Sequence, residues 1–137
     1  MARNTNTGGV LEAMIVPALL FGGYEVAKQV QVGCRPGGGV HNVDAIARKD
    51  DVAILVSLKW QQTSGTAEQK VPFEVMCLAD AVTAGHATRA YLVLGGDGWT
   101  LRDYFTSGAL KEHLRHADAV RVVTLEAFVR IANNGAL

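Results

Sequence analysis

Residues 41–61, HNVDAIARKDDVAILVSLKWQ, hold two strand-like runs on either side of Asp50-Asp51. The second run, 52–60, is almost wholly apolar, which marks a central strand covered on both faces. A two-residue turn at Asp50-Asp51 joins the runs into a β-hairpin and pairs Lys49 with Val52. Counting outward from that pair sets Asp44 opposite Ser57. Side chains alternate along a strand, so Ser57, Lys59 and Gln61 share one face, the face toward which Asp44 also points. The pattern therefore predicts a carboxylate and an ammonium side by side on a sheet surface.

Upstream, Thr5, Asn6 and Thr7 offer N-cap oxygens for a helix over 9–20. Its apolar stripe is Val10, Leu11, Met14, Ile15, Ala18 and Leu19, with a kink expected at Pro17 and a stop at Gly22-Gly23. The alternation of residues 24–32 predicts a half-buried strand. Residues 34–39, CRPGGG, read as a flexible connector, since neither a GK[ST] nor a helix start follows the glycines. Downstream, Thr66 and Gln69 fit a capping box for a helix reaching about Ala84, its regular part beginning near Val71 because of Pro72. Residues 90–94 form a short strand, and residues 95–98, GGDG, break it as a plain turn. Short helices are expected at 99–105 and 109–116, a fifth strand at 120–123, and a closing helix over 125–133 capped by Thr124. The order predicts a single α/β domain over residues 1–137, a mixed central sheet flanked by helices.

A chain of 137 residues is one domain by length, and 49% apolar against 19% charged residues suits a soluble globule with a real core. Thirteen basic and thirteen acidic residues cancel, which argues against a purely electrostatic nucleic-acid binder while allowing a local basic face. Cys34 and Cys77 lie in no zinc-like or redox-like spacing, consistent with a reducing, cytoplasmic setting. The apolar run 13–21 is far shorter than the roughly 20 residues that span a bilayer, and Glu12 at its edge argues against a signal peptide. The histidines 41, 86, 113 and 116 show no metal spacing, with His113 and His116 on a solvated helix face. Trp60 and Trp99 read as core.

Three features together resemble the PD-(D/E)XK nuclease superfamily, which includes restriction enzymes, archaeal-type Holliday junction resolvases and phage nucleases. An early helix bears an acid, Glu12, in Gly8-Gly9-Val10-Leu11-Glu12. A hairpin presents Asp44 on one strand, and its partner strand ends in Ser57-Leu58-Lys59 with Gln61 two residues on. A helix and the strand 90–94 follow in the family's order. The likeness runs from Glu12 to about Leu94, and the early glutamate with Gly23-Tyr24 before the first strand looks most like the resolvase and phage branches. It implies a restriction endonuclease-like αβββαβ core. Two positions depart from the pattern: Val43 replaces the eponymous proline, and Ser57 stands where an acid is usual. A hydroxyl is a poor ligand for a hard dication, so another acid must compensate, with Glu12 the first candidate and Glu68 the second.

The resemblance implies a metal-dependent DNA endonuclease that leaves 5′-phosphate and 3′-hydroxyl ends. The metal is expected to be Mg²⁺, with Mn²⁺ able to substitute, held by Asp44, Glu12 and the Leu58 carbonyl, with Ser57 beside them. Lys59 would orient or deprotonate the attacking water and offset phosphorane charge, and Gln61 would position the water or a phosphate. Arg35, Gly38, His41 and Lys70 are the candidate nucleic-acid contacts. A domain this small is expected to cut two strands as a homodimer, with Leu125, Phe128 and Val129 candidates for that interface or for the domain's own core. A resolvase-like enzyme acting on branched DNA is the leading expectation, of phage or mobile-element type. A restriction-like or nicking enzyme on linear duplex, and an inactive nucleic-acid-binding member of the fold, are the alternatives.

Overall fold

The computed structural model describes residues 6–137, and its centre is a five-stranded sheet in the order β1-β2-β3-β4-β5. These strands are β1 (Glu25–Cys34), β2 (Val40–Lys49), β3 (Val52–Trp60), β4 (Arg89–Gly95) and β5 (Val120–Thr124). The first three pair antiparallel and the last three parallel, so the sheet is mixed. The hairpin register is the one its turn dictates: Lys49 faces Val52, and pairing continues to Ala45 opposite Val56. Asp50 takes a left-handed φ of 55° in that turn, a conformation an aspartate tolerates better than most side chains.

Helices cover both faces. Residues 6–21 form helix α1, in which a π-helical turn, Leu11–Ile15, separates the α-helical pieces Asn6–Val10 and Val16–Phe21. Pro17 follows directly on that wide turn. Proline brings no N–H and crowds the preceding carbonyls, and a π turn is a standard way for a helix to absorb such a fault. The expected kink is thus a π turn, and the helix starts before the expected Gly9. Of its cap candidates, Thr5 lies outside the described residues. Leu11, Ile15, Ala18 and Leu19 are buried as the stripe requires, whereas Met14 is 41% exposed.

Helix α2 (Ala67–Thr83) packs on the opposite face. Contrary to the capping-box expectation, the Thr66 side chain makes no cap hydrogen bond. The Gln61 side chain serves instead, its Oε1 accepting from Ala67 N at 3.0 Å while its Nε2 donates to Gly98 O at 2.8 Å. Pro72 is carried inside the helix. The turn over residues 95–98 is more than a break. Gly96 has φ +89°, and a Cβ there would fall 2.4 Å from Gln61 O, so only glycine lets the two backbones meet.

Beyond β4, a short helix α3 (Arg102–Thr106) and two 3₁₀ turns, Ala109–Glu112 and Ala117–Ala119, replace the two longer helices expected there. Helix α4 (Leu125–Asn133) begins as expected, the Thr124 hydroxyl accepting from Ala127 N at 3.2 Å. Phe128 and Leu125 are buried with Tyr91, Ile54 and Leu19 between α1, α4 and the sheet, so they belong to the domain's own core. A second core, built on Leu55, Leu92, Val71, Val75 and Leu78, fills the α2 side. No helix among the described residues is long and apolar enough to cross a membrane.

Candidate functional site

β3 divides its side chains by parity. Ile54, Val56 and Leu58 enter the core under α1 and α4, while Leu55 enters the core under α2. Ser57 and Lys59 share the parity of Leu55, and both line a cavity of about 310 Å³ at the end of the strand, together with Asp44, Leu58, Arg35, Lys70 and Glu74. The hairpin opens at the same place. The β2–β3 ladder ends at Ala45 opposite Val56, and beyond it the Leu58 N–H donates to Asp44 Oδ2 at 2.7 Å. The alternation of β2 also slips there. Val43 and Ile46, an odd interval apart, both pack into the α2-side core. A local irregularity of this kind re-aims a side chain and ends regular pairing, which is how Asp44 comes to the strand end with its carboxylate on the next strand's backbone.

The acid that the structure places against Ser57 is Glu74, from α2. It is 3% exposed. Its Oε2 accepts from the Ser57 hydroxyl at 3.0 Å and lies 3.2 Å from His41 Nε2, and its Oε1 accepts from Arg35 Nη1 at 3.3 Å. A carboxylate this deep is tolerable because it is hydrogen-bonded and faces a guanidinium. Sequence reading missed it, although a signal exists. Val71, Glu74, Val75 and Leu78 follow the i, i+3, i+4, i+7 spacing of a buried helical stripe, and a charged residue inside such a stripe needs a reason.

Electrostatics tie the two acids together. Burial pushes the Asp44 carboxyl above its ordinary pKa; the Leu58 N–H and the Lys59 charge pull it back, and the Glu74 charge raises it further. Two carboxylates that raise one another's proton affinity favour added positive charge nearby. Among the described residues no three His, Cys, Asp or Glu side chains converge into a ready-made metal cage. Two carboxylates, a main-chain carbonyl and retained waters are nonetheless a donor set suited to Mg²⁺, which seldom uses an all-protein cage. On donor chemistry, the site fits a hard divalent cation.

The other predicted residues are placed as follows. Glu12 is not in the cavity: α1 meets it through Thr7 in its first turn, and Glu12, farther along, pairs with Lys28 on the surface. Glu68 accepts from the backbone N–H groups of Thr100 and Leu101, a structural clasp ahead of α3. Gln61, with both ends of its amide engaged at the start of α2, is also absent from the cavity wall. His41 is fully buried behind Glu74, so it supports the acid and offers no surface to a nucleic acid. Arg35 and exposed Lys70 line the cavity, and Gly38 lies in the open β1–β2 loop with φ +100°. Trp99 is core, its Nε1 donating to Gly95 O at 2.7 Å.

The fold agrees with the comparisons to known proteins. A family model described as a PD-(D/E)XK nuclease superfamily domain matches residues 3–136. The chain belongs to the PD-(D/E)XK nuclease superfamily. Proteins of this superfamily typically use divalent metal ions. Among curated proteins none matches the chain by sequence. Among solved structures it is similar to the crystal structure of AF1548, a protein of unknown function, with a TM-score of 0.52 and 13% identity over 80% of this chain. That likeness concerns the fold alone, and this PD-(D/E)XK domain spans about half of that protein, 54% of its length.

Proposed function

We propose that this PD-(D/E)XK domain is a Mg²⁺-dependent endodeoxyribonuclease of resolvase-like character, acting as a homodimer on branched DNA. The observation that carries the reading is the 3.0 Å contact between Ser57 and Glu74. It brings a helix-borne acid to the strand position where this chain lacks the acid of the superfamily pattern, in the cavity that also holds Asp44 and Lys59. Asp44, Glu74 and the Leu58 carbonyl are the residues that would hold the cation. Once bound, a divalent ion supplies a Lewis acid for a phosphate oxygen and a more acidic water.

The chain's own residues do the remainder. Lys59 holds positive charge beside Asp44, where it can orient the attacking water and offset charge building on the phosphorane. Ser57 and His41 fix the rotamer of Glu74, so one carboxylate oxygen stays aimed into the cavity. Arg35 and Lys70 present cations at its mouth for the DNA backbone.

The deciding experiment compares cleavage of a labelled four-way junction and a matched linear duplex in Mg²⁺ or Mn²⁺, using wild type, Lys59→Ala, Asp44→Asn and Glu74→Gln. Paired symmetric cuts in the junction, lost by at least about 100-fold in each variant, are expected. Cutting of linear duplex alone would assign a restriction-like role. No cutting of either substrate by folded wild-type protein would leave a member of the fold that binds nucleic acid without cleaving it.

A further inference from the structure

Glu74 has two oxygens with different duties. Oε2 is held inside the fold by Ser57 and His41. Oε1 faces Arg35, whose Nη1 stands 3.3 Å away and also lies 3.5 Å from Cys77 Sγ. Arg35 is thus the positive charge seated on the one Glu74 oxygen that a cation would use. Its side chain is 31% exposed, against 4% for that of Glu74, so it approaches from the solvent side while the acid stays fixed below. The guanidinium also lies 5.9 Å from the centroid of the Phe73 ring, a half-open platform on which an arginine can rest.

The chain around Arg35 is suited to release it. Arg35 opens the β1–β2 loop, where Gly37 and Gly38 take φ of +92° and +100° and face open space. The loop is closed by its own backbone bonds, Arg35 N to Gly39 O and Gly38 N to Arg35 O. The side chain can therefore leave Glu74 without unfolding the strands.

We infer that Arg35 is a displaceable internal cation that occupies Glu74 in the empty site and moves to a DNA phosphate when a divalent ion takes its place. The inference rests on reading Asp44 and Glu74 as the acids that hold the ion. Its consequence is competition: in DNA-free protein, Arg35 and the divalent ion exclude one another at Glu74 Oε1. The same guanidinium then gains a phosphate partner it can grip bidentately. Ion binding and DNA binding reinforce one another through a single side chain, as linkage requires.

The test is direct Mn²⁺ binding to the DNA-free protein, read by titration calorimetry and by the electron paramagnetic resonance signal of free Mn²⁺. Wild type, Arg35→Ala, Arg35→Gln and Glu74→Gln are compared, with the fold of each checked by circular dichroism. Arg35→Gln retains a donor for the Val40 carbonyl that Arg35 Nε bonds, and so controls for loosening of the loop. Both Arg35 variants should bind Mn²⁺ about fivefold more tightly than wild type, Glu74→Gln should bind it more weakly, and both Arg35 variants should bind duplex DNA more weakly than wild type in Ca²⁺, where the freed guanidinium would reach a phosphate. Equal or weaker Mn²⁺ binding by folded Arg35 variants, or no Mn²⁺ binding by any protein, would overturn the inference. Because these readouts need no cleavage, a shift in Mn²⁺ affinity without any DNA cutting would sink the nuclease reading and leave the exchange standing. Cutting with no shift would do the reverse.

Discussion

The Ser57 hydroxyl donates to Glu74 at 3.0 Å, and Arg35 bridges the same acid to Cys77 Sγ. The two thiols of the chain therefore differ sharply. Cys34 is exposed at the end of β1, whereas Cys77 is 1% exposed, and burial pushes its pKa up although the Arg35 contact pulls the other way. A thiol whose folded pKa is raised stays protonated to higher pH than a free one, and only the thiolate is nucleophilic. Native protein at pH 8 should thus take up one equivalent of iodoacetamide, at Cys34, and a second only after denaturation or well above that pH. Two fast equivalents at pH 8, located by peptide mass mapping, would show that the α2 face opens readily. Asp44 and Lys59 were legible as a pair from the hairpin count alone. Glu74 was legible only as a charge inside a buried helical stripe, because its contact with Ser57 depends on where the helix docks over the strand.

At the scale of elements, Gln61 links three segments, the end of β3, the start of α2 and the 95–98 turn. Its buried amide accepts from Ala67 N and donates to Gly98 O. Gln61→Ala removes the partners of two half-buried backbone groups, and should cost about 1 kcal/mol in urea unfolding while folded protein keeps its cleavage rate. A loss of activity with unchanged stability would instead return Gln61 to the chemistry. The local rules succeeded where the signal and its partner are neighbours in the chain. The Asp50-Asp51 turn set the register, and Thr124 capped α4 from three residues away. They failed at Thr66, whose cap role was taken by a side chain folded back from β3, and in the region after β4. There short 3₁₀ turns and α3 follow the shape of the neighbouring core instead of their own periodicity.

For the molecule as a whole, zero formal charge constrains how it can hold DNA. The cavity gathers three cations, Arg35, Lys59 and Lys70, around two acids, Asp44 and Glu74. If these three make the phosphate contacts, the logarithm of DNA affinity should fall against that of salt concentration with a slope of about −3, at about −0.9 per phosphate neutralised. Fluorescence anisotropy in Ca²⁺ across a salt series measures it. A slope near −8 would demand a broad basic face that this distribution of charge does not supply.

What the amino-acid sequence determined by itself is the hairpin, its register, the apolar central strand and the mixed α/β order, because turn geometry and period-two alternation act between near neighbours. It also placed Asp44 and Lys59 at one strand end. Only the tertiary structure decided that Glu12 lies outside the cavity in a surface pair with Lys28, that Glu68 clasps a loop, and that Glu74 meets Ser57 in the cavity wall. Those outcomes depend on how helices α1 and α2 are rotated and shifted over the sheet. That docking is fixed by the packing of two cores, and no spacing along the chain encodes it.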